Sequence, residues 1–64
     1  MQTNQSSARD VIFEFIQLGN CIKVIAIDVT TGLEVSTMGP KTATQKHLQQ
    51  TALAKLNYVL NRDQ

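Results

Sequence analysis

Residues 11–29 read VIFEFIQLGNCIKVIAIDV, and no other stretch of the chain restricts the fold as tightly. The run is dense in β-branched and aromatic residues and is broken once, by Gly19-Asn20, a pair suited to the centre of a two-residue hairpin turn. Two strands folded back there have a fixed register: Leu18 faces Cys21, followed by Ile16–Lys23, Glu14–Ile25 and Ile12–Ile27. Side chains alternate across a strand, so one face carries Ile12, Glu14, Ile16, Leu18, Cys21, Lys23, Ile25 and Ile27. The other carries Val11, Phe13, Phe15, Gln17, Ile22, Val24 and Ala26. Both faces are largely apolar, and both need cover.

A second turn follows at 28–33, where Asp and Thr side chains can bond nearby backbone and Gly32 supplies the positive φ of a type I turn with a G1 bulge. With Val29 opposite Leu33, a third strand over Leu33–Met38 puts Leu33, Val35 and Thr37 on the aliphatic face. Glu34, Ser36 and Met38 then join Phe13 and Phe15. Gly39-Pro40 ends the strand, because proline lacks the donor to continue a ladder. Thr42-Ala43-Thr44-Gln45 matches a capping box with Thr42 as N-cap, predicting a helix from about Ala43 to Asn61 or Arg62. Leu48, Ala52, Leu53, Leu56, Val59 and Leu60 share one stripe of it.

The expected fold class is α+β: a three-stranded antiparallel β-meander followed by one C-terminal α-helix packed on one sheet face. The aliphatic face has more branched residues and the Phe face fewer central charges, so the pattern leaves both open to the helix. Residues 1–10, polar and small, are expected to form a mobile N-terminal tail, and 11–64 a single β-β-β-α domain.

One helix covers one face, and a 64-residue chain has little core to spare. Small domains add disulfides, a metal or oligomerisation. A single cysteine forms no internal disulfide, and His47 with Cys21 offers no set of metal ligands, so oligomerisation is the route left and no cofactor is expected. The expected partners are further copies of the chain, as a dimer or tetramer, or another protein. Phe13, Phe15, Val24 and Met38 on the sheet, with Tyr58 on the outer side of the helix, are the candidate oligomer interface. The net charge of +1 gives no bulk attraction to nucleic acid or membranes. The start, MQTNQSSAR, lacks the apolar core of a signal peptide, and a cytoplasmic protein with a reduced thiol is expected.

Several motifs stand in an order met elsewhere: Phe13-Glu14-Phe15, Lys23-Val24, Asp28 with Thr31-Gly32-Leu33-Glu34-Val35, Gly39-Pro40, and Ala52 with Lys55-Leu56 and Tyr58-Val59-Leu60. In this the chain resembles a family of short uncharacterised alphaproteobacterial proteins, over roughly Val11 to Leu60. The resemblance implies a bacterial, cytoplasmic protein with the β-β-β-α order, and it brings no activity with it.

Residues with chemical potential read more simply as structure. Cys21 and His47 are the obvious nucleophile and base, yet the register sets Cys21 beside a hairpin turn and the helix stripe turns His47 away from the sheet. Glu14 and Glu34 fall on opposite faces and form no acid/base pair. No catalytic constellation results, and the chain is not expected to be an enzyme. Lys41, Thr42 and Lys46 gather where the helix begins and make a candidate anion site, the basis of an alternative reading as a binder of an anionic ligand or RNA. Phe13 and Phe15 could form a stacking platform for single-stranded RNA, but their face lacks lysine and arginine, and burial under a helix or a second subunit is the simpler account.

Overall fold

The computed structural model describes residues 10–62, so the expected tail lies, apart from Asp10, outside the described residues. Strands β1 (Val11–Leu18), β2 (Cys21–Asp28) and β3 (Glu34–Pro40) form an antiparallel meander in the order β1-β2-β3, and helix α1 (Gln45–Arg62) follows. This is the expected architecture. The β1–β2 register is also as read, from Leu18 opposite Cys21 to Ile12 opposite Ile27. Gly19 turns the chain with φ 63°, the positive value that two-residue hairpins require. The Asp10 carbonyl accepts from the Val29 N–H at 3.1 Å, which carries the ladder one residue beyond β1.

The register of β3 departs from expectation by one residue. Ala26 pairs with Val35, Ile25 with Ser36 and Lys23 with Met38. The turn is closed by Asp28 and Leu33, not by Val29 and Leu33: the Asp28 N–H donates to the Leu33 carbonyl (2.9 Å) and the Gly32 N–H to the Asp28 carbonyl (2.7 Å). The cause is the Asp28 side chain. Its Oδ2 accepts from both the N–H (3.0 Å) and the hydroxyl (2.7 Å) of Thr31, stapling a four-residue loop with Gly32 at φ 79°. One extra loop residue turns every β3 side chain to the opposite face. Val35 and Thr37 therefore stand with Phe13, Phe15, Val24 and Ala26, whereas Glu34, Ser36 and Met38 stand with the isoleucines.

The helix covers the Phe face. Leu48, Ala52 and Leu56, one every four residues, are buried with Val24 and Ala26, and Val11, Phe13, Phe15, Ile22 and Val35 pack around them. Leu53, Val59 and Leu60, also on the expected stripe, are half-buried at its margin. The helix lies over β2 and β3, and its small Ala52 allows a close approach to the sheet. Near its start it passes over Gly39, where an added Cβ would run into the Leu48 side chain.

The helix also begins later than the capping-box reading places it. Its N-cap is Thr44, whose Oγ1 accepts from the His47 N–H at 3.1 Å. Residues 41–43 instead form a turn in which the Ala43 N–H reaches the Pro40 carbonyl (3.0 Å). Pro40 sits inside β3 at no cost to the ladder. The Lys41 N–H bonds the Asn20 carbonyl (2.9 Å), so bonding alternates with Gly39 and Lys41 facing β2 and the Pro40 nitrogen directed to the outer edge.

Candidate functional site

With the Phe face under the helix, no element among the described residues covers the other face of the sheet. β1 contributes Ile12, Glu14, Ile16 and Leu18, β2 contributes Cys21, Lys23, Ile25 and Ile27, and β3 contributes Glu34, Ser36 and Met38. Ile12, Ile16, Leu18 and Met38 are 52%, 41%, 49% and 57% exposed, and with half-buried Ile25 and Ile27 between them they make the face largely apolar, interrupted by Glu14, Lys23, Glu34 and Ser36. Its charges lie in the pattern the hairpin register imposes: Glu14 faces Ile25 and Lys23 faces Ile16, so the two charges are diagonal neighbours. A shallow depression of about 200 Å³ lies between Lys23, Ile25, Glu34 and Ser36. The depression is open, unlike the enclosing concavity of most small-molecule sites.

The five residues expected at an oligomer interface do not share a surface. Val24 is fully buried, and Phe13 and Phe15 pack against the core beneath the helix. Met38 lies on the far side of the sheet because the Asp28 staple shifts β3 by one. Tyr58, 64% exposed, stands on the helix with the Arg62 guanidinium 5.9 Å from its ring centre. Phe13 and Phe15 are half-buried by their packing against the core. The aliphatic residues that sequence reasoning set against the Phe face as the helix's seat are the ones left uncovered.

Cys21 is exposed on the open face, and His47 stands on the helix that covers the other, so the sheet separates them. Glu14 and Glu34 share the open face, contrary to the expected opposition. They stand on the two outer strands, two residues out of step, with the Ile25–Ile27 column between them, which places their Cα atoms ~12 Å apart by ordinary sheet spacing. Among the described residues no group of three His, Cys, Asp or Glu side chains could hold a metal ion, and no helix is long and apolar enough to cross a membrane.

Lys41, Thr42 and Lys46 are all exposed around the helix start. Part of the backbone there is engaged: the Lys41 N–H bonds Asn20, the Ala43 N–H bonds Pro40, and Thr44 fills the His47 N–H.

Residues 8–63 match a domain of unknown function, DUF6898. The chain belongs to that family. No curated protein and no solved structure matches it. The match takes in all three strands and the helix, so the DUF6898 domain and the β-β-β-α unit coincide, open face included.

Proposed function

We propose that the protein is a small non-enzymatic interaction module that self-associates through the open face of its sheet. The observation that carries the reading is the aliphatic surface of Ile12, Ile16, Leu18, Ile25, Ile27 and Met38, left bare by a helix that covers only the opposite side. Largely apolar exposed surface of this kind marks interaction sites. The core beneath the helix is small, with Val24, Ala26, Leu48, Ala52 and Leu56 as its buried apolar members, and burial of a second layer is what such a domain needs for stability. Two-fold association of like surfaces is the commonest solution, and two sheets stacked ~10 Å apart would bury both isoleucine columns. The single exposed thiol, Cys21, suits the reducing cytoplasm of a bacterium, the setting that the resemblance to alphaproteobacterial proteins implies.

Ile25 is the residue to change. It is central on the face and faces Glu14 directly, so Ile25→Lys gives the new ammonium a partner within the same chain and leaves the core alone. Sedimentation velocity in reductant is expected to show an oligomer for the wild type and a smaller, folded species for Ile25→Lys. A wild-type protein that stays monomeric at high concentration overturns self-association and turns the search towards a different protein partner for this face.

A further inference from the structure

The two edges of the sheet are not alike. The β3 edge is guarded: the Lys55 ammonium reaches across it to the Ser36 carbonyl at 2.7 Å, and Pro40 removes a donor near its end. The β1 edge carries eight residues, VIFEFIQL, with no proline and no lysine, and among the described residues no element pairs with its outer side. Natural edge strands of that length are usually blunted by one of those devices.

The hairpin decides which backbone groups this edge offers. Leu18 and Cys21 close the two-residue turn, and Val29 donates to Asp10, so the even-numbered residues of β1 bond to β2. The N–H and C=O groups of Val11, Phe13, Phe15 and Gln17 therefore point outward. Two copies of β1 can pair antiparallel about a two-fold axis normal to the sheet, and an axis on any residue is compatible with this alternation, but centres on Ile12, Ile16 or Gln17 overlap five residues or fewer. Centring on Phe13 overlaps only residues 11–15 within the strands. Centring on Glu14 overlaps 11–17 but sets the Glu14 carboxylates directly opposite each other, where like charges repel. Centring on Phe15 overlaps 12–18 and moves the two Glu14 carboxylates from directly opposite to diagonal positions.

We infer that two copies of the chain join edge to edge through β1, centred on Phe15, to make a continuous six-stranded sheet. This deepens the proposed self-association and rests on it. In this register Phe15 faces its own counterpart, Phe13 faces Gln17, Glu14 faces Ile16, and Ile12 faces Leu18. The last pairing matters most. Ile12 and Leu18 are two of the most exposed apolar residues on the sheet, 52% and 49%, and each is brought against the other. On the helix side, α1 lies over β2 and β3, so the flanks of half-buried Phe13 and Phe15 beside β1 gain cover from the other copy. The open faces of both copies end on the same side of the sheet, so edge pairing leaves the isoleucine surface free for stacking.

The test is cross-linking between two different variants, both carrying Cys21→Ser. Cross-strand neighbours lie within disulfide reach, whereas Ile12 and Leu18 of one chain stand at opposite ends of β1. Mild oxidation of a mixture of Ile12→Cys and Leu18→Cys proteins is expected to give a covalent heterodimer, and neither protein alone should give a comparable product. Adding Gln17→Pro to both is expected to lower the cross-linked yield at least tenfold. That change removes an outward N–H without touching the β2 ladder, and Gln17→Ala, which keeps the N–H, should leave the yield unchanged. A wild type that oligomerises without a mixed cross-link, or a cross-link indifferent to Gln17→Pro, overturns edge pairing while leaving the open-face reading intact. A wild type that is monomeric throughout overturns both.

Discussion

Gly39→Ala probes the β3 register and the helix position together. In the structure residue 39 lies on the covered side, where an added methyl collides with the Leu48 side chain. Leu48 is only 6% exposed, so it cannot swing aside without opening the core it shares with Val24 and Ala52. Overpacking of this kind costs ~1–3 kcal/mol. Against it stands a gain of ~0.5–1 kcal/mol from replacing a strand glycine by alanine, since Gly39 has no positive φ to protect. The net expectation is a loss of about 1–2 kcal/mol, or roughly 5–15 °C in Tm for a domain of this size. Had β3 kept the register with Val29 opposite Leu33, residue 39 would face the bare side and the substitution would raise stability. A double-mutant cycle sharpens the test. Leu48→Ala alone should cost ~2–4 kcal/mol through the cavity it leaves, and Gly39→Ala placed in that background should fill part of the hole, so that the pair costs less than its members added together. Urea unfolding followed by circular dichroism measures all three. A midpoint that rises in Gly39→Ala, or effects that simply add, would refute this placement of the helix.

Two further substitutions separate observed from expected local structure. Asp28→Ala removes the buried carboxylate that holds both donors of Thr31, and should destabilise by about 2 kcal/mol in thermal or urea unfolding; an unchanged midpoint would mean the loop does not need its staple. Thr44→Ala should cost ~1 kcal/mol as the loss of an N-cap, whereas Thr42→Ala, in the preceding turn, should stay within about 0.5 kcal/mol of wild type. The reverse order would restore the capping box at Thr42.

What was legible in the sequence follows from how tightly each turn constrains its flanks. Gly19-Asn20 leaves only two residues between strands rich in β-branched side chains, so the β1–β2 register has little freedom and is found as read. The second turn admits loops of three or four residues around the same Gly32, and the choice between them decides which face Glu34, Ser36 and Met38 occupy. The signal that settles it is Asp28, placed three residues before Thr31, where its carboxylate can close a type I turn. The helix start failed for a related reason: two threonines, Thr42 and Thr44, both fit an N-cap, and only the turn after Pro40 favours the second. The helix's own face was legible from its spacing, but which side of the sheet it would cover was not, because both sides are apolar. Gly39 is the clue in hindsight, the one position of β3 without a side chain and the place where Leu48 comes down. The candidate interface followed from the three-residue reading of the second turn and from a helix face left open. It joined Met38 to Phe13, Phe15 and Val24 through the wrong register and set them on the face that the helix takes.

The most direct test of the account is sedimentation velocity of the wild-type protein and of Ile25→Lys, each across a concentration series in reductant. A bare isoleucine face that serves self-association predicts a wild-type oligomer that dissociates only on dilution, beside a folded Ile25→Lys protein that loses the face contact and sediments as a smaller species, no larger than the edge-paired dimer. A wild type that is monomeric at every concentration, or an Ile25→Lys protein that associates as well as wild type, would contradict it.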